Sequence, residues 1–146
     1  MLKCLIALCA VAIGAAARQQ TVGVRGQLMC GDRPLSATVK LWDLNTFPNP
    51  DEMLSQITTD SDGRFQIFGT VNDWTTEDPA VRFYHRCNNK GLIFENVCQR
   101  EVTLKIPKTY INSGTTVGRW YEVGTMNLEA KQPHEQSHCF SFPGRK

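Results

Sequence analysis

The sequence predicts an all-β fold, two antiparallel sheets packed face to face, and three observations predict it. Apolar residues alternate with polar ones at a period of two in run after run. Turn signals separate the runs, and no stretch carries a sustained helical stripe. Period two marks a strand with one face on a core and one in water, because successive side chains leave a strand on opposite sides. With 146 residues the chain has room for one domain.

At the start of the chain, Lys3, the apolar run Leu5 to Ile13 and the small residues Ala15-Ala16-Ala17 read as a secretory signal peptide over 1–17, with the mature domain over 18–146. The run is too short to span a bilayer. Val22, Val24 and Leu28 share the core face of a first strand, and Gly31-Asp32-Arg33-Pro34 is a turn. Ala37, Val39 and Leu41 then alternate with Thr38, Lys40 and Trp42, so the two runs are expected to form a hairpin. Asn45 to Asp51, with Pro48 and Pro50, is a loop. Leu54 to Thr59 and Arg64 to Phe68 are two more strands, joined by Asp60-Ser61-Asp62-Gly63 as a tight hairpin in which Gly63 supplies positive φ. That turn lacks the further ligands of a calcium loop.

Thr70 to Asp78 is polar and irregular. Val81, Phe83 and His85 alternate with Arg82, Tyr84 and Arg86 up to Cys87, and Asn88 to Val97 is a loop closed by Cys98. Val102, Leu104 and Ile106 alternate with Glu101, Thr103 and Lys105 until Pro107 stops the strand. Asn112-Ser113-Gly114 turns the chain into a last strand, Trp120 to Leu128. Its apolar phase slips between Val123 and Met126, so a β-bulge is expected at Gly124. A polar tail begins at about residue 130.

Removing the signal leaves four cysteines, Cys30, Cys87, Cys98 and Cys139, and an even set in an exported chain reads as two disulfides. Three pairings are open. Cys87 ends one strand and Cys98 begins the next, while Cys30 ends the first strand and Cys139 comes after the last. The expected bridges are therefore Cys87–Cys98 and Cys30–Cys139. Sixteen basic residues become fifteen without Lys3, against fourteen acidic, a balance that argues against nucleic acid as a partner. No transmembrane segment is expected in the mature chain.

Catalytic and cofactor motifs are missing: there is no Gly-x-Ser-x-Gly, no phosphate loop and no dinucleotide fingerprint. No enzyme activity, cofactor or metal is expected. His134 and His138 lie in the polar tail with no zinc motif completing them, and His85, on the apolar face of its strand, reads as a partly buried histidine with one hydrogen bond. The candidate binding face is the one carrying Arg82, Tyr84 and Arg86, where two arginines beside an aromatic could hold phosphate or carboxylate groups. Trp42 and Trp120 occupy positions alternating with the core set, and they and Trp74 either pack under loops or face a partner.

These residues carry a resemblance to the transthyretin-like family of secreted nematode proteins. It rests on motifs in order: Gly23 to Leu28 running into Cys30, Val39-Lys40-Leu41-Trp42-Asp43, Thr59 to Phe65, Asp78-Pro79, Tyr84-His85-Arg86-Cys87, Cys98-Gln99-Arg100 with Ile106-Pro107, Tyr110 to Gly114, and Gly124 to Leu128. The resemblance implies a transthyretin-type, Greek-key-like sandwich of about seven or eight strands, and secretion. It does not imply one shared activity: some members bridge anionic phospholipid to a receptor, and others act on host tissue. The function expected is that of a secreted extracellular protein that recognises a protein or an anionic lipid surface. The alternative is a carrier of small hydrophobic ligands, which in transthyretin itself uses a channel within a tetramer; a monomer or dimer is expected here. Hydroxyisourate hydrolase shares the fold but ends in Tyr-Arg-Gly-Ser, whereas this chain ends Ser141-Phe142-Pro143-Gly144-Arg145-Lys146 and has no histidine in its first strand.

Overall fold

The computed structural model describes residues 19–45, 48–72, 78–88 and 98–139. The expected signal peptide, Trp74 and nearly all of the loop before Cys98 lie outside them. The described chain is a sandwich of two five-stranded sheets. In the first sheet β1 (Gln19–Cys30) is central. It pairs with β2 (Arg33–Pro34) and β5 (Arg64–Asn72), and with β8 (Asn112–Ser113) and β9 (Trp120–Asn127). The second sheet runs β10-β7-β6-β3-β4. Its strands are β3 (Thr38–Leu44), β4 (Glu52–Thr58), β6 (Asp78–His85), β7 (Cys98–Lys105) and β10 (Gln136–Cys139). All pairings are antiparallel except β1 with β9, which is parallel and departs from the purely antiparallel expectation.

The alternation read from the sequence places the core. Val22, Val24 and Leu28 of β1 and Phe65 and Ile67 of β5 face Val39 and Leu41 of β3, Val81 and Phe83 of β6 and Val102 of β7, all buried. Phe65 and Phe83 meet edge to face across the sheets with ring centroids 5.4 Å apart. Each such side chain contributes about 1.5–3 kcal/mol by leaving water. The bulge expected at Gly124 is present: the β1–β9 register passes from Glu122 to Gly124 between Arg25 and Gly26, and Gly124 has φ +71°.

Several expectations are corrected. The first two strands are not a hairpin. After a short return through β2 the chain buries Leu35 and Ala37 and crosses to the other sheet, so β1 and β3 face each other across the core. Nor is Asp60–Gly63 a hairpin connection. The turn itself is as read, with Gly63 at φ +75° and the Asp60 carboxylate accepting the Asp62 and Arg64 N–H groups. It joins β4 of one sheet to β5 of the other, and is docked on β1 by a bond from Leu28 N–H to the Gly63 carbonyl (2.8 Å). The buried Thr59 hydroxyl completes that corner: it donates to the Leu35 carbonyl and accepts from Ala37 N–H. The polar tail is not simply a tail, because β10 lies within it and pairs with β7.

The disulfide expectation is overturned. The bridges are Cys30–Cys87 and Cys98–Cys139. Cys30 ends β1 and Cys87 comes just after β6, one on each facing sheet, so their bridge spans the sandwich. Cys139 lies directly opposite Cys98 in the β10–β7 pair. Nearness along the chain had favoured Cys87–Cys98; the position of β10 beside β7 decided otherwise.

Candidate binding face

Strand β6 alternates cleanly. Val81, Phe83 and His85 point into the core, while Arg82 and Tyr84 point out and Arg86 is exposed just beyond the strand. Directly paired residues share a face, so the outer side of the second sheet can be built from its register. Tyr84 lies between Thr38 of β3 and Glu101 of β7, and Glu101 is opposite Gln136 of β10. The next row holds Lys40, Arg82 and Thr103. Gln99 and His138 form the row at the β10 end.

The three residues singled out on this face have different surroundings. Arg82 is already engaged. Its guanidinium lies 4.8 Å over the Trp42 ring, donates to Asp51 Oδ2 at 3.0 Å, and stands 3.6 Å from Glu101 Oε1. Tyr84 carries the Lys40 ammonium 4.7 Å from its ring centroid and has the His138 ring alongside. Its phenol is held above the ordinary value, chiefly by burial and then by the Glu101 charge, with Arg82 opposing. Arg86 has no ion pair among the described residues, and neither has Lys40. Glu101 is buried yet on the outer face, because Arg82 and His138 cover it; its Oε2 contacts His138 Nε2. Thr38, Lys40, Gln56, Tyr84, Gln99, Glu101 and His138 line an open hollow of about 290 Å³.

His85 is more deeply placed than expected, at 2 % exposure, and Nδ1 accepts a bond from Cys87 N–H. Burial first, then the nearby Arg100 charge, push its pKa down to about 4, with Glu135 opposing. It is therefore a neutral core residue with no access to a substrate. Among the described residues no three His, Cys, Asp or Glu side chains converge on a point that would hold a metal ion. Trp42 and Trp120 are half-buried, each flat on the outer face of its own sheet. Trp42 lies under Arg82, and Trp120 packs so closely on Gly23 that a Cβ there would sit 2.7 Å from the indole. Sequence reasoning missed Lys40, Glu101 and His138. Alternation puts Lys40 and Glu101 on wet faces, but only the strand order β10-β7-β6-β3 brings all three to Tyr84.

Comparison with known proteins gives consistent likenesses. The profile of the transthyretin-like family matches residues 25–107. Transthyretin-like protein 33 of Caenorhabditis elegans is 40% identical, covering 92% of this chain and 92% of its own. Transthyretin-like protein 46 of the same organism is 38% identical over 83% of this chain and 68% of its own. For transthyretin-like protein 5 the figures are 37%, 94% and 99%. Among solved structures, a 9R-lipoxygenase from Cyanothece aligns with 78% of this chain and 18% of its own at 21% identity, with a TM-score of 0.40, too low to support an argument.

Proposed function

The chain belongs to the transthyretin-like family, and on that premise we propose that it is a secreted binding module whose contact surface is the outer face of the β10-β7-β6-β3-β4 sheet. The partner carries phosphate or carboxylate groups, as an anionic lipid surface or an acidic protein patch does. The observation that carries this reading is the pair of cations around Tyr84. Lys40, stacked on its ring, and Arg86, exposed just past the end of β6, have no carboxylate partner among the described residues. Arg82, by contrast, is spent on Asp51 and Glu101 and acts as a strut for the face. Secretion is supported by the charged and apolar start of the chain and by two disulfides, which persist in oxidising compartments.

The test is co-sedimentation with vesicles of anionic phospholipid in a zwitterionic background, with an acidic peptide as competitor. Charge-assisted bonds contribute about 1.5–3 kcal/mol each, so K40A/R86A is expected to weaken binding about tenfold or more. R82A is expected to leave affinity within about threefold while lowering stability, because Asp51 loses its cation and Glu101 keeps only His138. Equal binding by wild type and K40A/R86A contradicts the proposal. So does tight uptake of a small apolar molecule that added salt does not weaken.

A further inference from the structure

The two disulfides differ in exposure: Cys30 is half-buried and Cys87 buried, whereas Cys98 is half-buried and Cys139 exposed. Cys30–Cys87 joins the facing sheets at the rim of the core, and Cys87 is 4% exposed. Cys98–Cys139 joins an edge, and all four residues of β10 are exposed. Exchange requires a thiolate to reach a disulfide sulfur, so access separates the two bridges. We propose that Cys98–Cys139 is a thiol-exchange site, a bridge that a dithiol reductant opens in the folded protein to release β10 from the edge of β7.

Three features of the chain favour a local opening over a general one. First, β10 has no apolar packing to hold it beyond the bridge, its ladder with β7 and the contacts of His138 with Glu101 and Tyr84. It pairs with β7 over four residues and buries no apolar side chain, and so short a polar ribbon is not self-supporting in water. Second, the release has a built-in boundary. Arg100 donates from Nε and Nη2 to the Glu135 carboxylate (2.5 and 2.9 Å), from Nη1 to the Cys87 carbonyl (2.7 Å), and from Nη2 to the Ala130 carbonyl (3.1 Å). Both side chains of that ion pair are nearly buried, at 12% and 4% exposure. The latch fixes the chain as far as Glu135 whether or not the bridge is closed, so opening frees only the segment from Gln136 onward. Third, the core does not depend on β10, whose residues are absent from the buried cluster.

Atoms and electrons balance in the exchange. One thiolate of the dithiol attacks Sγ of Cys139, forming a mixed disulfide and expelling Cys98 as a thiolate. The second thiol of the reductant then displaces Cys139. Two electrons pass to the protein, the dithiol leaves as its own disulfide, and its two protons are taken up by the cysteine thiolates. Opening removes His138 from Glu101 and leaves the outer edge of β7 as a row of unpaired backbone groups, a template for an incoming extended strand.

The experiment is a dithiothreitol titration of the whole mature protein under native conditions, with differential alkylation read by mass spectrometry and amide hydrogen exchange read in parallel. Cys98 and Cys139 are expected to become alkylated at dithiol concentrations about tenfold or more below those needed for Cys30 and Cys87. At that point exchange rises at residues 136–139 and 98–101 and stays unchanged at 22–28. Joint opening of both bridges overturns the proposal, as does prior opening of Cys30–Cys87, or opening of Cys98–Cys139 without faster exchange in β10. The C98S/C139S variant provides a reductant-free check: if it folds and β10 stays protected, the proposal fails. The native titration decides the matter if the variant does not fold.

Discussion

Acidification should destabilise this sandwich through His85 before its ordinary carboxylates come into play. The neutral ring accepts the Cys87 N–H at Nδ1 (3.0 Å), so its proton sits on Nε2, a buried atom with no hydrogen-bond partner among the described residues. A second proton would have to go on Nδ1, breaking that bond and placing a cation in the core near Arg100. These costs hold the folded-state pKa at about 4, against 6.5 for a free histidine. The unfolded chain therefore binds this proton more readily than the folded one. Stability is fully present above pH 6.5, falls as pH drops from there to about 4, and levels off below. The gap corresponds to a loss of about 3 kcal/mol. Guanidinium unfolding of wild type and His85→Leu between pH 7 and pH 4 isolates the effect. The variant should be about 1–2 kcal/mol less stable at pH 7, where Cys87 N–H loses its acceptor. Wild type should then lose about 3 kcal/mol more than the variant across the range. The Glu135 carboxyl, held low mainly by its bond to Arg100, keeps that bond in both proteins, and only its weaker coupling to His85 is lost in the variant. Parallel profiles for the two proteins would refute the reasoning.

Two further substitutions probe the architecture. Gly63→Ala combines φ +75° with a Cβ only 2.2 Å from the Leu28 carbonyl oxygen, so the corner must move off β1; a loss of about 3 kcal/mol or more is expected in the denaturant midpoint. Glu135→Gln leaves the nearly buried Arg100 charge with only carbonyl acceptors, at a cost of about 3 kcal/mol and with faster amide exchange over 129–135, while exposed Glu129→Gln should change stability by less than about 0.5 kcal/mol.

Faces were legible in the sequence and partners were not. The alternation in Val39-Lys40-Leu41, Phe65-Gln66-Ile67 and Val81 to His85 reports which side chains meet water, because that is decided within the strand. Gly63 and Gly124 were legible for the same reason, since positive φ is a local demand. The path of the chain after a turn is decided elsewhere. Asp60–Gly63 has the same local geometry whether its flanking strands pair or part; here Thr59 and the Leu28–Gly63 bond tie it to a corner, and the strands part. β10 was missed because Gln136-Ser137-His138-Cys139 buries nothing, so no periodicity marks it. With β10 unseen, Cys139 could not be placed beside Cys98, nor His138 beside Glu101. Arg82 illustrates the same limit within the candidate face. Its side of the strand was read correctly, but Asp51 and Glu101 reach it from the loop before β4 and from β7, and they shift the available positive charge to Lys40 and Arg86.

The most direct test of the central claim is a residue-resolved footprint. Amide chemical shifts of the mature protein should be tracked as bicelles doped with anionic phospholipid are added, at low and at high salt. Perturbations are predicted to cluster at Lys40, Tyr84, Arg86 and Gln99 and to fade as salt rises, since exposed charges are screened within about 10 Å at 0.1 M ionic strength. A footprint centred instead on Phe68 and Trp120 of the other sheet, or one indifferent to salt, would contradict the account.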